Sequence, residues 1–130
     1  VTIPPNPDMP DGATAESRIS WRLKLNGWFA ISEYEQTGLA PTPYTAQGIL
    51  GWDKQKYTFY WFDSDGWDPG KPALGDWEGD TLQLEETSSM GPTRFTYRFT
   101  ENSYQLIVEN STDGQNWNLL FTEEFQKASS

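Results

Sequence analysis

The chain has 130 residues, which is enough for one domain with a sizeable core. It carries 9 Lys and Arg against 19 Asp and Glu, giving a formal charge of −10 at neutral pH. Nucleic acid and anionic membrane surfaces are therefore disfavoured as partners, because both bind clustered cations. The chain contains neither Cys nor His, which excludes disulfides, thiolate zinc sites, histidine-ligated haem and Ser-His-Asp catalysis.

The first sixteen residues differ in composition from the rest of the chain. Residues 1–16 hold four of the nine prolines, which predicts an irregular Pro-rich arm. Because the sequence opens on Val1 rather than Met, we expect a piece to precede it, and Val1 to Ile3 would be the tail of a strand that begins there.

From Ser17 to Gln126, apolar and polar residues alternate with a period of two, which is typical of β-strands. No stretch longer than one turn has the 3.6-residue period of an amphipathic helix. We expect residues 17–127 to form a single β-barrel domain, followed by a tail at 128–130. The alternation predicts nine strands, at 17–25, 28–37, 44–53, 56–63, 72–78, 80–87, 93–101, 103–111 and 116–126.

Most of the predicted strands are joined by short turns. Turn-forming pairs such as Asn26-Gly27 and Gly79-Asp80 separate neighbouring strands, whereas the segments 38–43 and 64–71 are longer. Sequential hairpins of this kind make a meander, and a long meander closes on itself more readily than it stays flat. The sequence therefore predicts an all-β fold, an antiparallel up-and-down β-barrel of about nine or ten strands.

The alternation also predicts which side chains face the barrel interior. Arginines on the same strands, namely Arg18, Arg22, Arg94 and Arg98, fall on the opposite face and are expected to lie in solvent. Trp117 shares the inward parity of the last strand. The expected interior comprises Ile19, Trp21, Leu23, Phe95, Phe99, Leu106, Leu119 and Phe121.

Three stretches carry a resemblance to a known family. They are NGWFAISEYE from Asn26 to Glu35, GILGWDKQKYTFYWFDSDG from Gly48 to Gly66, and GDWEGDTLQL from Gly75 to Leu84. Across about residues 17–127 the chain resembles the bacterial calycin-like barrels of the domain-of-unknown-function 1579 type. The resemblance implies a lipocalin-like barrel with one more strand upstream. Haem ligation, as found in related barrels, does not carry over because the ligating His is missing.

Two carboxyl groups share the parity of aromatic side chains. Glu123 alternates with Phe121 and Phe125, and Asp63 alternates with Phe59 and Trp61. A carboxylate among aromatics is costly unless it is paired, protonated or close to water. Either each group sits near a strand end and reaches solvent, or it faces a ligand. The predicted ligand-binding residues are Trp21, Tyr34, Phe59, Trp61, Asp63, Tyr97, Phe121 and Glu123.

Two other groups of residues resemble functional sites but are better explained by ordinary strand and turn structure. Glu33 and Tyr34 could form an acid–base pair, but neighbours on a strand point to opposite faces, so one packed and one solvated side chain is favoured. The acidic stretch DSDGWDPG, residues 63–70, lacks the ligand spacing of an EF-hand. We therefore predict an acidic turn there and no metal site.

Three classes of function remain open. The favoured one is a binding module whose interior accepts a small neutral or cationic hydrophobic molecule. The alternatives are a barrel enzyme, of the isomerase or cyclase type, that uses Tyr and carboxylate groups, and a structural or interaction module with a filled core. Catalysis is the less expected role because His and Cys are missing. We expect no cofactor, and a soluble, cytoplasmic rather than periplasmic or secreted protein of open oligomeric state.

Overall fold

A computed structural model describes residues 1–39, 41–66, 68, 70–88 and 91–127. This part of the chain is all-β and consists of eleven antiparallel strands. The predicted tail at 128–130 lies outside the described residues. The strands are β1 (Thr2–Ile3), β2 (Ala13–Thr14), β3 (Glu16–Lys24), β4 (Phe29–Thr37), β5 (Tyr44–Trp52), β6 (Tyr57–Asp63), β7 (Ala73–Glu78), β8 (Thr81–Ser88), β9 (Gly91–Phe99), β10 (Ser103–Asn110) and β11 (Asn118–Gln126).

The strands form one sheet that curls into a nearly closed barrel. From β3 to β11 each strand pairs with the next in the chain, and β1 then pairs with β11 and with β2. Only Ala15 separates β2 from β3. The two ends of the meander are therefore joined through β1, and the predicted up-and-down barrel is confirmed.

The N-terminal arm corrects one prediction. Outside Val1 to Ile3 it was expected to be irregular, yet it contributes the two-residue strand β2 as well as β1. Thr2 is paired with Thr14 on one side and with Thr122 on the other. Prolines interrupt the arm, so no alternation of apolar and polar residues marks these strands in the sequence. Pairing with a distant strand determines their structure instead.

The first long hairpin ends in the turn that the sequence predicts. Leu25, Asn26 and Gly27 all adopt positive φ, at 54°, 61° and 82°. Asn and Gly tolerate this conformation, and they let the chain reverse between β3 and β4.

The core lies toward one side of the barrel, where β7 to β10 meet. Leu84 and Val108 are almost fully enclosed, and Leu82, Leu106 and Tyr97 pack around them. Phe95, Phe99 and Phe121 are partly buried against this cluster. The inward parity predicted for these strands is therefore confirmed.

A β-bulge in β11 overturns the predicted orientation of two residues. Val108 is opposite Phe121, but the next residue, Glu109, is opposite Leu119, so Leu120 is an extra residue. Beyond the bulge the alternation reverses, which places Leu119 on the outer face with an exposed side chain. Trp117 also lies outside, where it carries the guanidinium of Arg94 at 4.0 Å from its ring centroid.

Two further burial predictions are wrong in part. Leu23 was expected inside but is 73% exposed, because among the described residues its strand β3 has a neighbour, β4, on one side only. Arg94 was expected in solvent, yet it is half-buried and forms an ion pair of 3.1 Å with Glu109. Arg18, Arg22 and Arg98 are exposed as predicted.

Replacing a core leucine and Leu119 should distinguish a buried side chain from one on the outer face. We expect Leu84→Ala to lower the free energy of unfolding by about 2–5 kcal/mol, because it leaves a cavity in the core. Leu119→Ala should cost less than about 1 kcal/mol because that side chain is largely in water. Urea unfolding followed by Trp fluorescence measures both. Equal losses would show that Leu119 is a core residue and that the bulge is misplaced.

Candidate ligand-binding site inside the barrel

The barrel encloses a cavity of about 420 Å³. Its wall is formed by inward-facing side chains of β3 to β11, together with residues of the loop that precedes β7. Cavities of this size hold one small molecule. All of the predicted ligand-binding residues line it, namely Trp21, Tyr34, Phe59, Trp61, Asp63, Tyr97, Phe121 and Glu123.

A chain of aromatic rings forms one wall. Tyr34 meets Trp61 edge-on at 5.4 Å between centroids, Trp61 lies 5.9 Å from Phe59, and Phe59 lies 6.2 Å from Trp21. Gly48 makes room for this arrangement, since a Cβ there would lie 2.7 Å from the Phe59 ring. The wall therefore presents several π faces to the cavity.

Glu123 is a buried carboxyl group held by hydroxyl groups from other strands. The Tyr34 hydroxyl donates to one carboxyl oxygen at 2.9 Å, and the Ser17 hydroxyl donates to the other at 3.4 Å. Burial raises the pKa of Glu123, while the hydrogen bond from Tyr34 partly opposes that rise. Burial of the Tyr34 hydroxyl, together with the charge of Glu123, raises the pKa of Tyr34 far above its ordinary value. Tyr34 therefore stays protonated and acts as a donor.

A second tyrosine–carboxylate pair lies on the neighbouring strands. The Tyr44 hydroxyl donates to Asp63 at 2.9 Å and accepts a hydrogen bond of 2.9 Å from the Trp61 indole N–H. Burial is the largest cause that raises the pKa of Tyr44 to about 12. The other oxygen of Asp63 accepts the backbone N–H of Asp65, so this carboxyl group also caps the turn after β6.

Other polar groups face the cavity as well. Tyr97 is almost fully buried, and its hydroxyl has no hydrogen-bond partner among the described residues. It can therefore donate to, or accept from, a bound molecule. Glu86 also lines the cavity, and burial raises the pKa of its carboxyl group. Near the mouth, Asp68 and Lys71 complete the lining.

The charges of the lining are mainly negative. The strands contribute Asp63, Glu86 and Glu123 but no Lys or Arg, and Lys71 comes from the loop before β7. Within the described residues no group of three or more His, Cys, Asp or Glu side chains is arranged to hold a metal ion. The predicted acidic turn is described in part, since Trp67 and Pro69 lie outside the described residues.

A larger depression of about 720 Å³ crosses the outside of β3 to β6. It is lined by outward side chains such as Arg18, Glu33, Glu35 and Gln47. These side chains are exposed and already solvated, so the depression lacks the enclosed apolar wall of the interior cavity.

The structure adds residues that the alternation alone did not select. Tyr44 was overlooked because it stands at the first position of β5, where the alternation with Ala46 and Gly48 carries little weight. Glu86 could have been found, since it continues the inward parity of Leu82 and Leu84. Glu33 points outward while Tyr34 is buried, so these two do not form a pair.

Comparisons with known proteins show no family for this chain. No family model, no curated protein and no solved structure matched it. The likeness to calycin-like barrels therefore stays a prediction from the quoted motifs. In the described part of the chain no helix is long and apolar enough to cross a bilayer.

The raised pKa of Glu123 predicts a pH-dependent stability. The folded protein binds this proton more tightly than the unfolded chain, so the stabilisation is complete below the ordinary value of 4.5. It is lost as the pH rises through the raised folded value. We expect Glu123→Gln, which is neutral throughout, to gain in stability relative to the parent between about pH 4 and pH 8. Urea unfolding over that range, with Glu33→Gln as an exposed control, measures the difference. A difference that is independent of pH would contradict the assignment.

Removing the Tyr44 hydroxyl should weaken the barrel. Tyr44→Phe leaves the Trp61 indole N–H without its acceptor and one carboxyl oxygen of Asp63 without its donor, which should cost about 1–3 kcal/mol. Tyr60→Phe is a matched control, because Tyr60 lies on the same wall of the sheet with an exposed ring and no described hydrogen bond. It should change the free energy of unfolding by less than about 0.5 kcal/mol. If thermal and urea unfolding give equal changes for the two variants, the Tyr44 network contributes nothing.

Proposed function

We propose that the protein binds one small hydrophobic molecule, neutral or amine-bearing, inside its barrel. The observation that supports this most is the cavity of about 420 Å³, where aromatic rings and tyrosine-bonded carboxyl groups line the same wall. An apolar pocket with a few convergent polar groups is the usual form of a small-molecule site.

The charge of the lining supports a neutral or cationic ligand over an anionic one. A carboxylate or phosphate placed beside Glu123 would meet no cation on the strands and would lose its hydration, at a cost of several kcal/mol. An ammonium group would instead meet Asp63 or Glu123 and the faces of Trp61 and Phe59. Each such cation–π contact contributes about 0.5–2 kcal/mol.

The alternatives draw less support from the same residues. An acid–base enzyme would need a group that gives up and takes back a proton, but burial raises the pKa of both Tyr34 and Tyr44 and keeps them protonated. That leaves the carboxyl groups of the cavity, and the partners of Glu123 and Asp63 are these same phenols, which stay protonated. A structural module with a filled core is disfavoured by the volume of the cavity.

The proposal also covers the family of the protein and the classes of partner. We infer a lipocalin-like binding protein of the calycin type from the motifs between Asn26 and Leu84. The net charge of −10 disfavours nucleic acid and anionic membranes as partners, because both are negatively charged.

The test compares three ligands of equal chain length: decylamine, decanol and decanoate. Each is titrated below its micellar range, in the same salt and at about pH 8, where the amine is charged and ordinary carboxyl groups are ionised. Quenching of Trp fluorescence reports occupancy, because Trp21 and Trp61 line the cavity. We expect the amine to bind most tightly and decanoate most weakly.

Variants identify the group responsible. Glu123→Gln should weaken decylamine about tenfold, the effect of one hydrogen bond to a charged group, and leave decanol nearly unchanged. Asp63→Asn reports on the second carboxyl group. Glu33→Gln, on the outer face, should leave all three affinities unchanged. Tighter binding of decanoate, or a decylamine affinity that neither interior variant alters, would reject the proposal.

A further inference from the structure

One side chain of the cavity wall carries a hydroxyl group that no protein group binds. Tyr97 is 9% exposed and lines the cavity, and among the described residues its hydroxyl has no hydrogen-bond partner. Its two neighbours across the sheet are Leu82 and Leu106, which are both buried and have no polar side-chain atom. The residues paired with Tyr97 therefore cannot satisfy this hydroxyl.

The Tyr97 hydroxyl opens onto the cavity and is not sealed in the core. Within the described part of the chain, every side-chain nitrogen or oxygen atom that is sealed from water has a hydrogen-bond partner. Since the Tyr97 oxygen has none, it borders open space, and the space that Tyr97 lines is the cavity. Water can bond the hydroxyl there, so a ligand that displaces this water without replacing its hydrogen bond loses affinity.

Packing holds the ring of Tyr97 in place. The Phe99 ring stacks on it at 6.3 Å between centroids, and the Tyr104 ring lies at 6.2 Å. Burial raises the pKa of the Tyr97 hydroxyl, so the group stays protonated and can donate a hydrogen bond. A donor that is already fixed loses little conformational entropy when a ligand binds.

A carboxyl group faces the same space as this donor. Tyr97 is opposite Leu106 on β10, and Leu106 is opposite Glu123 on β11, so Tyr97 and Glu123 stand in one row with a single strand between them. Both side chains line the cavity, and the curvature of a barrel brings inward side chains of one row together. The charge of Glu123 also contributes to the raised pKa of Tyr97, which is consistent with this proximity.

Glu123 can accept further hydrogen bonds. One of its oxygens accepts from the Tyr34 hydroxyl at 2.9 Å and the other from the Ser17 hydroxyl at 3.4 Å. An ionised carboxyl group offers about four acceptor positions, so acceptor capacity remains for a ligand. The cavity therefore presents a free donor, Tyr97, and a partly free acceptor, Glu123, in the same row.

The carboxyl group of Asp63 lacks this combination. Its oxygens accept from the Tyr44 hydroxyl and from the Asp65 backbone N–H. The Tyr44 oxygen accepts in turn from the Trp61 indole, so this phenol is used both as donor and as acceptor. A polar ligand at Asp63 would meet a phenol that is already engaged, whereas at Glu123 it would meet one that is not.

We propose that Glu123 and Tyr97 together bind the two polar atoms of an amphipathic amino alcohol. This inference rests on the proposed function and narrows it to one class of ligand. The ammonium group donates to Glu123, the hydroxyl group of the same head group accepts from Tyr97, and the hydrocarbon chain lies against Phe59 and Trp61. Tyr97 distinguishes the amino alcohol from a simple amine, because the simple amine leaves a buried donor without a partner.

The test compares two amines that differ at one atom. They are 2-(octylamino)ethanol and N-propyloctylamine, in which a methyl group replaces the hydroxyl. Each is titrated below its micellar range at about pH 8, where both amines are charged, and quenching of Trp fluorescence reports binding. We expect the amino alcohol to bind about tenfold more tightly, although it is the more water-soluble of the two. Equal or weaker binding of the amino alcohol would overturn the inference.

Variants assign the preference to Tyr97. Tyr97→Phe removes an oxygen that no protein group bonds, so the barrel should stay folded, which urea unfolding checks. In this variant the tenfold preference, about the effect of one hydrogen bond, should disappear. Tyr60→Phe, on an exposed ring, and Tyr104→Phe, on a neighbouring ring, should both retain it. A preference that survives Tyr97→Phe, or that only Tyr104→Phe removes, would contradict the assignment.

The outcomes separate this inference from the proposed function. If neither amine quenches the fluorescence, or if neither Glu123→Gln nor Asp63→Asn alters an affinity, the proposed function fails and this inference fails with it. If both amines bind equally through Glu123, or if their affinities depend on Asp63 alone, the proposed function stands and only the amino-alcohol class is rejected. Weakening of both amines by Glu123→Gln, with loss of the hydroxyl preference in Tyr97→Phe, supports both.

Discussion

Closure of this barrel depends on two residues, Thr2 and Ile3. β1 is the only strand among the described residues that links β11 to the ribbon of β2 and β3. A sheet with free edges exposes unpaired backbone groups, and closing it removes those edges. Here the closure runs through β1, which pairs with β11 on one side and with β2 on the other. The cavity inside the barrel therefore depends on this short strand.

The interior combines aromatic packing with buried carboxyl groups, and hydrogen bonds make this combination stable. Tyr34 donates to Glu123 and Tyr44 donates to Asp63, so both of these carboxyl groups have a phenol as partner. Because burial raises the pKa of the phenols, they remain donors at physiological pH. The groups that stabilise the barrel therefore also set the polarity that a ligand would meet.

Sequence reasoning succeeded where alternation runs without interruption through a paired strand. Tyr34 on β4 and Glu123 on β11 face the cavity, on the side that the alternation indicates, because a period of two is the geometry of the strand itself. β6 is apolar on both faces, so its sequence left open which face points inward, and the structure turns Trp61 and Asp63 toward the cavity. It failed at Leu119, where one extra residue reverses the alternation, and at Leu23, which faces inward on an uncovered edge. A bulge and a missing neighbour leave no mark in local periodicity.

The sequence alone determined the class of fold, the long strands, the face of most side chains and the exclusion of His and Cys chemistry. These properties follow from composition and from interactions between near neighbours in the chain. Only the tertiary structure decided that Tyr34 meets Glu123, that Tyr44 joins Asp63 to Trp61, and that β1 joins β11 to β2. Tyr34 and Glu123 are 89 residues apart, and their contact depends on how far the sheet curls, which no local pattern encodes.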